Sequence, residues 1–174
     1  MSTAPILVLA VGNPSRGDDA FGPLLAEQLA DWLQLQGDAD DAMRRQIELI
    51  TDLQLMVEHV FDLQGRARVL FIDAAAQGGG GPTVSAVKAL RTPPVHQSHA
   101  CTPAQLLSRF AQLLSEPLPN ADLLSLSGCS FELSDPLSPP VQAAMPEAWQ
   151  CLMAWLREAS NSACASSVRH HKAV

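Results

Sequence analysis

Unbroken apolar runs alternate with stretches of helical periodicity along this chain. Residues 5–11 (PILVLAV) are continuously apolar, and Gly12-Asn13-Pro14 stops the run, so they predict a strand buried on both faces. Residues 23–36 carry apolar side chains at helical spacing, with Pro23 in the first turn and Gly37 just past the end. After a mostly polar connection over 37–45, residues 46–52 (QIELITD) read as a second strand and residues 53–63 as a short helix. Residues 69–73 (VLFID) predict a third buried strand. Four consecutive glycines then make 76–82 a flexible turn, and 83–90 alternate as a fourth strand. A loop over 91–101 leads to an amphipathic helix over 102–114, with Thr102 as its N-cap and Pro103 at the first helical position. Residues 123–129 predict a fifth strand, 135–140 a proline-rich loop and 140–159 a long helix. The Ser/Ala-rich tail over 160–174 is expected to be disordered.

Strands that alternate with helices predict a single α/β domain over residues 1–159. The expected architecture is a three-layer α/β/α sandwich around a five-stranded, mostly parallel twisted sheet. In such sheets ligands bind beyond the carboxyl ends of the strands. Asn13, Asp18 and Asp19 follow the first strand, Asp52 ends the second and Asp73 ends the third. His96 and His99 lie in the loop after the fourth. Carboxylates and imidazole therefore gather at one edge of the expected sheet.

The loop GNPSRGDDAFG has neither the GxGxxG spacing of a dinucleotide site nor the GK[ST] of a P-loop, and its two acids would repel a phosphate. Two readings of Asp18 and Asp19 stand at this point: caps for the following helix, or ligands for a cation. Gln54 and Glu58, four residues apart, would share a helix face.

Composition narrows the classes further. With 174 residues, 47% hydrophobic, the chain fits one core, and a formal net charge of −7 gives no nucleic-acid footprint and argues against anionic membranes. The opening apolar run is too short for a signal-peptide core or a membrane span, which makes the cytoplasm the expected compartment. Cys101, Cys129, Cys151 and Cys164 form no CxxC pair. No GxSxG motif is present, and Cys101 stays only a minor nucleophile candidate.

Taken in order, ILVLAVGNPSRGDDAFGPLLAEQL, VLFIDAA, SHACTPAQLL and LLSLSGCSFELSDPLSPPVQAAM resemble the successive signatures of the [NiFe]-hydrogenase maturation protease family. The resemblance implies an endopeptidase that trims the C-terminal extension of a hydrogenase large-subunit precursor after nickel insertion. It implies Asp19, Asp73 and His99 as metal ligands, with Asp19 and Asp73 also catalytic. His99 is preferred over His96 by its distance to the following Leu-Leu. Asn13, Asp52, Gln54 and Glu58 become substrate contacts. Where many members have Gly-Gly-Thr after the second strand, this chain has Asp52-Leu53-Gln54-Leu55.

Two carboxylates and one imidazole are an incomplete ligand set. Nickel is therefore expected to arrive with the substrate, and no tightly bound cofactor is expected in the isolated protein, a monomer. Hydrolysis is open to two routes: a carbonyl or water activated by the metal, or a carboxylate base. The reading from a different class is a non-catalytic nickel-sensing chaperone for the same precursor.

Overall fold

The computed structural model describes residues 3–35, 41–76, 80–91 and 99–170. Five strands form one sheet: β1 (Ile6–Val11), β2 (Ile47–Asp52), β3 (Arg68–Ala75), β4 (Thr83–Val87) and β5 (Asn120–Ser127). Their order is β2-β1-β3-β5-β4, with every pair parallel except β4 with β5. The helices are α1 (Phe21–Leu35), the short α2 (Asp41–Arg44), α3 (Pro103–Leu113) and α4 (Pro139–His170).

Alternation along β1 divides the core into two layers. Ile6, Val8 and Ala10 face Phe21, Leu25 and Leu29 of α1 and Leu152 and Leu156 of α4. Leu7, Leu9 and Val11 face Leu106, Leu107 and Phe110 of α3, with Leu55 and Val60 completing that layer. All six β1 residues are buried, so the strand carries apolar side chains on both faces. The three-layer sandwich expected from the sequence is thus formed. Thr102 caps α3 as expected: its hydroxyl accepts from the Gln105 amide, and the Gln105 side chain accepts from the Thr102 amide.

Four elements differ from expectation. The fourth strand ends at Val87 and runs antiparallel to β5. Residues 53–63 hold only a 3₁₀ turn, Val57–Val60, because the backbone of 55–57 bonds across to 99–101 instead of coiling on itself. α2 lies within the connection read only as mostly polar. α4 continues beyond Ala159 to His170, through the segment read as a disordered tail; serine and alanine there do not break a helix already propagated from a packed segment. Residues 171–174, His171 included, lie outside the described residues, as does His96.

Between β1 and β3 the chain order reverses, so the loop after β1 leads to one side of the sheet and the segment after β3 to the other. Gly22 seats α1 at this point: a Cβ there would overlap the carbonyl oxygen of Val11 and stand 3.1 Å from that of Ile72. Neither backbone can yield without disturbing the sheet. Gly22→Ala is accordingly expected to cost about 1–3 kcal/mol through overpacking, read as a lowered urea midpoint with an unchanged slope.

Candidate functional site

The site begins with the loop between β1 and α1. Gly12 has φ +140, and a Cβ on it would overlap the Asp19 carbonyl, so the loop folds tightly back on its own start. Asn13 donates its amide to Asp19 Oδ2 at 3.0 Å, while its own Oδ1 accepts from Ser15 N at 2.9 Å. A 3₁₀ turn, Gly17–Ala20, then delivers two consecutive carboxylates to opposite environments.

Asp18 is fully buried. Its Oδ2 accepts from the amides of Cys129 (2.6 Å) and Ser130 (3.1 Å), and its Oδ1 from the Ser138 amide at 2.7 Å. Burial pushes its pKa up, but these donors together outweigh burial and hold the carboxyl below its ordinary 3.8. Asp18 therefore ties the β5–α4 connection to the β1–α1 loop. Neither role weighed for it from sequence, helix cap or cation ligand, is the one it fills.

Asp19 instead faces an open cleft. One part of the cleft, about 610 Å³, is lined by Asn13, Arg16, Asp19, Asp52, Leu53, Gln54 and Met56. A second part, about 260 Å³, is lined by Asp19, Leu53 and Gln54 again, together with Val11, Gly12, Leu55, Asp73, Ala100 and Cys101. The shared residues make it one groove running across the carboxyl ends of β2, β1 and β3. The register sets this row: Val11 pairs with Asp52, and Asp73 follows Ile72, the last β3 residue paired with β1.

Asp73 has the parity of Val69 and Phe71, so its side chain belongs to the α3 layer. Burial, and secondly the charge of Asp19, raise its pKa from 3.8 to about 6, against a hydrogen bond from the Ala74 backbone. Two carboxylates that repel each other in a cleft are a favourable place for positive charge.

His99 stands beside this pair rather than in it. The backbone around it is fixed: Val57 N donates to His99 O at 2.8 Å, Cys101 N donates to Leu55 O at 2.9 Å, and Met56 and Ala100 form an antiparallel bridge. The exposed imidazole places Nδ1 3.2 Å from Glu58 Oε1. Glu58's own backbone amide, then His99, hold that carboxyl below its usual value. Among the described residues no three His, Cys, Asp or Glu side chains converge to hold an ion by themselves. The structure thus brings together Asp19 and Asp73, with Asn13, Asp52 and Gln54 along the same groove, and pairs His99 with Glu58 at its side. Burial, and then the charge of Glu58, push the Cys101 thiol up, which disfavours the thiolate a nucleophile needs.

No protein-family model and no curated protein matches the chain. Solved structures do. The hydrogenase maturating endopeptidase HybD from Escherichia coli superposes with a TM-score of 0.64 at 24% identity, covering 88% of this chain and 92% of that one. The chain has the fold of the [NiFe]-hydrogenase maturation proteases. HycI from Thermococcus kodakarensis KOD1 gives 0.61 at 19% identity over 88% and 93%. A hydrogenase 2 maturation peptidase from a Thaumarchaeota archaeon gives 0.56 at 23% over 87% and 97%.

Within this maturation-protease fold, sequence reasoning missed one residue that backs the groove at Asp52. His59 is buried, and its Nε2 lies 3.4 Å from Asp52 Oδ2. Its signal was weak, a histidine in a segment read as a short helix. Among the described residues no helix is long and apolar enough to cross a membrane.

Proposed function

We propose that this protein is an endopeptidase that removes the C-terminal extension of a [NiFe]-hydrogenase large-subunit precursor once nickel has been inserted. The reading is carried by one observation: Asp19 and Asp73 share the groove at the point where strand order reverses, and Asp73 is pushed to about 6 beside Asp19. The fold held in common with maturation endopeptidases supports it.

The residues suit nickel that arrives bound to the substrate. Asp19 and Asp73 offer oxygen and His99, which stands beside them, offers nitrogen to an ion whose other ligands come with the substrate, a combination that first-row divalent ions accept. An incoming cation offsets the repulsion between the two carboxylates, so the groove favours a precursor that carries its metal. Asn13, Asp52 and Gln54 line the groove and, with Glu58 at its side, contact the extension.

For hydrolysis, Asp73 is the carboxylate we assign as base, where the groove meets the end of β3. It takes a proton from the attacking water as oxygen bonds to the scissile carbonyl carbon, and returns it to the leaving amine as the peptide C–N bond breaks. Asp19, with Oδ2 tied by the Asn13 amide, keeps a fixed orientation through this exchange. The protein acts as a cytoplasmic monomer without a resident cofactor.

The test is a gel-mobility assay on purified precursor. Nickel-loaded precursor is expected to be cut, and nickel-free precursor to stay intact even with enzyme in large excess. Binding without cleavage would identify a chaperone instead. Efficient cleavage of the nickel-free form would remove nickel recognition and leave the peptidase.

A further inference from the structure

We infer that His59 is a positioning residue that holds the Asp52 carboxylate in place for the peptide in the groove. Asp52 ends β2, and both of its carboxylate oxygens have partners. Oδ1 accepts from the Leu53 amide at 2.6 Å, and Oδ2 faces His59 Nε2 at 3.4 Å. His59 is itself held on its other side, where Nδ1 lies 2.9 Å from the Met56 amide and 3.1 Å from the Met56 carbonyl oxygen. The first contact needs a bare Nδ1 and the second a protonated one, so Nδ1 alone does not choose the tautomer. Asp52 does: a bare Nε2 lone pair would repel its carboxylate, so we place the ring hydrogen on Nε2, with Nδ1 accepting from the Met56 amide.

Burial matters to the argument. The His59 side chain is 8% exposed, against 46% for that of Asp52. The imidazole is therefore a fixed support and the carboxylate is the part that meets substrate. The 3₁₀ turn supplies this support from its third residue, which caps the turn with one nitrogen and reaches β2 with the other. Met56 and Asp52 both line the groove, so the turn and the strand end are joined through this ring at its wall.

The inference rests on the reading of Asp52 as a substrate contact, and the test separates the two. His59→Asn keeps an oxygen in reach of the Met56 amide but is too short to touch Asp52. With nickel-loaded precursor, Asp52→Asn and His59→Asn are each expected to lower kcat/KM about tenfold, the size of one hydrogen bond to a charged group. The loss should lie in KM, with kcat little changed. The double variant should be no worse than Asp52→Asn alone. Losses that multiply in the double variant, or a wild-type KM in His59→Asn beside a raised KM in Asp52→Asn, overturn the positioning role. Long-range ¹H–¹⁵N spectra of the isolated protein supply the second arm. They should show His59 protonated at Nε2, with that nitrogen shifted in Asp52→Asn. A proton on Nδ1, or an unmoved Nε2, overturns the pairing itself. A wild-type KM in Asp52→Asn with the spectral pairing intact removes the substrate contact and with it the positioning role, while the pair stands as structure.

Discussion

Asp73→Asn is expected to abolish precursor processing while making the isolated protein more stable at neutral pH. The carboxamide matches the carboxylate in size, so the fold is kept, but it neither takes a proton from water nor binds a divalent ion well. Loss of an acid–base group alone predicts a drop of about 10²–10⁴-fold in rate. The stability gain follows from the raised pKa. A carboxyl that titrates at 3.8 unfolded and about 6 folded binds its proton more tightly in the folded state. It therefore favours the fold at low pH, and that contribution is lost as pH rises through about 6. The interval corresponds to about 3 kcal/mol at most. Urea unfolding across pH should show the variant gaining on the wild type between about pH 4 and pH 6 and keeping its lead above. A variant less stable than the wild type at pH 7.5 would contradict the buried, repelled carboxylate.

Asp18→Ala should do the opposite damage and destabilise the protein strongly. Removing this carboxylate leaves the amides of Cys129, Ser130 and Ser138 without acceptors around a fully buried position. The expected cost is on the order of 4 kcal/mol, since bonds to a charged acceptor are worth more than neutral ones and buried orphans are penalised further. Asp18→Asn should not rescue it, because both carboxylate oxygens accept and an NH₂ group would face an N–H. The sign of its pH dependence is also reversed relative to Asp73. Asp18 titrates below its ordinary value when folded, so its contribution is present above about 3.8 and is lost as pH falls through the lower folded pKa. Urea midpoints at neutral pH check the magnitude, and their convergence in acid checks the sign. A midpoint within a few tenths molar of the wild type would show that the connection holds without Asp18.

The parts legible in the sequence are those written in local pattern. β1 and β3 announce themselves as continuous apolar runs because both of their faces are covered. α3 announces itself through Thr102, Pro103 and Gln105, all within one turn. Asp19, Asp52 and Asp73 stand out because each lies at or just beyond the carboxyl end of a strand. What stayed hidden depends on distant partners. Nothing beside Asp18 distinguishes it from Asp19, for the amides that claim it lie more than a hundred positions along the chain. The direction of β4 is settled by its pairing with β5, not by its own alternation. Residues 53–63 have a helix-compatible composition, but their backbone is bonded to 99–101. His59 gains a role only once the 3₁₀ turn brings it back to β2.

Asp18 and Asp19 are neighbours with opposite duties, one holding the interior together and the other facing the cleft. Inserting or deleting one residue between Gly12 and Gly22 would present the wrong acid to each. The segment that looks most like an ordinary surface loop therefore has a fixed length. A change of side chain within it, as at Ser15, keeps both acids in place; a change in the count does not.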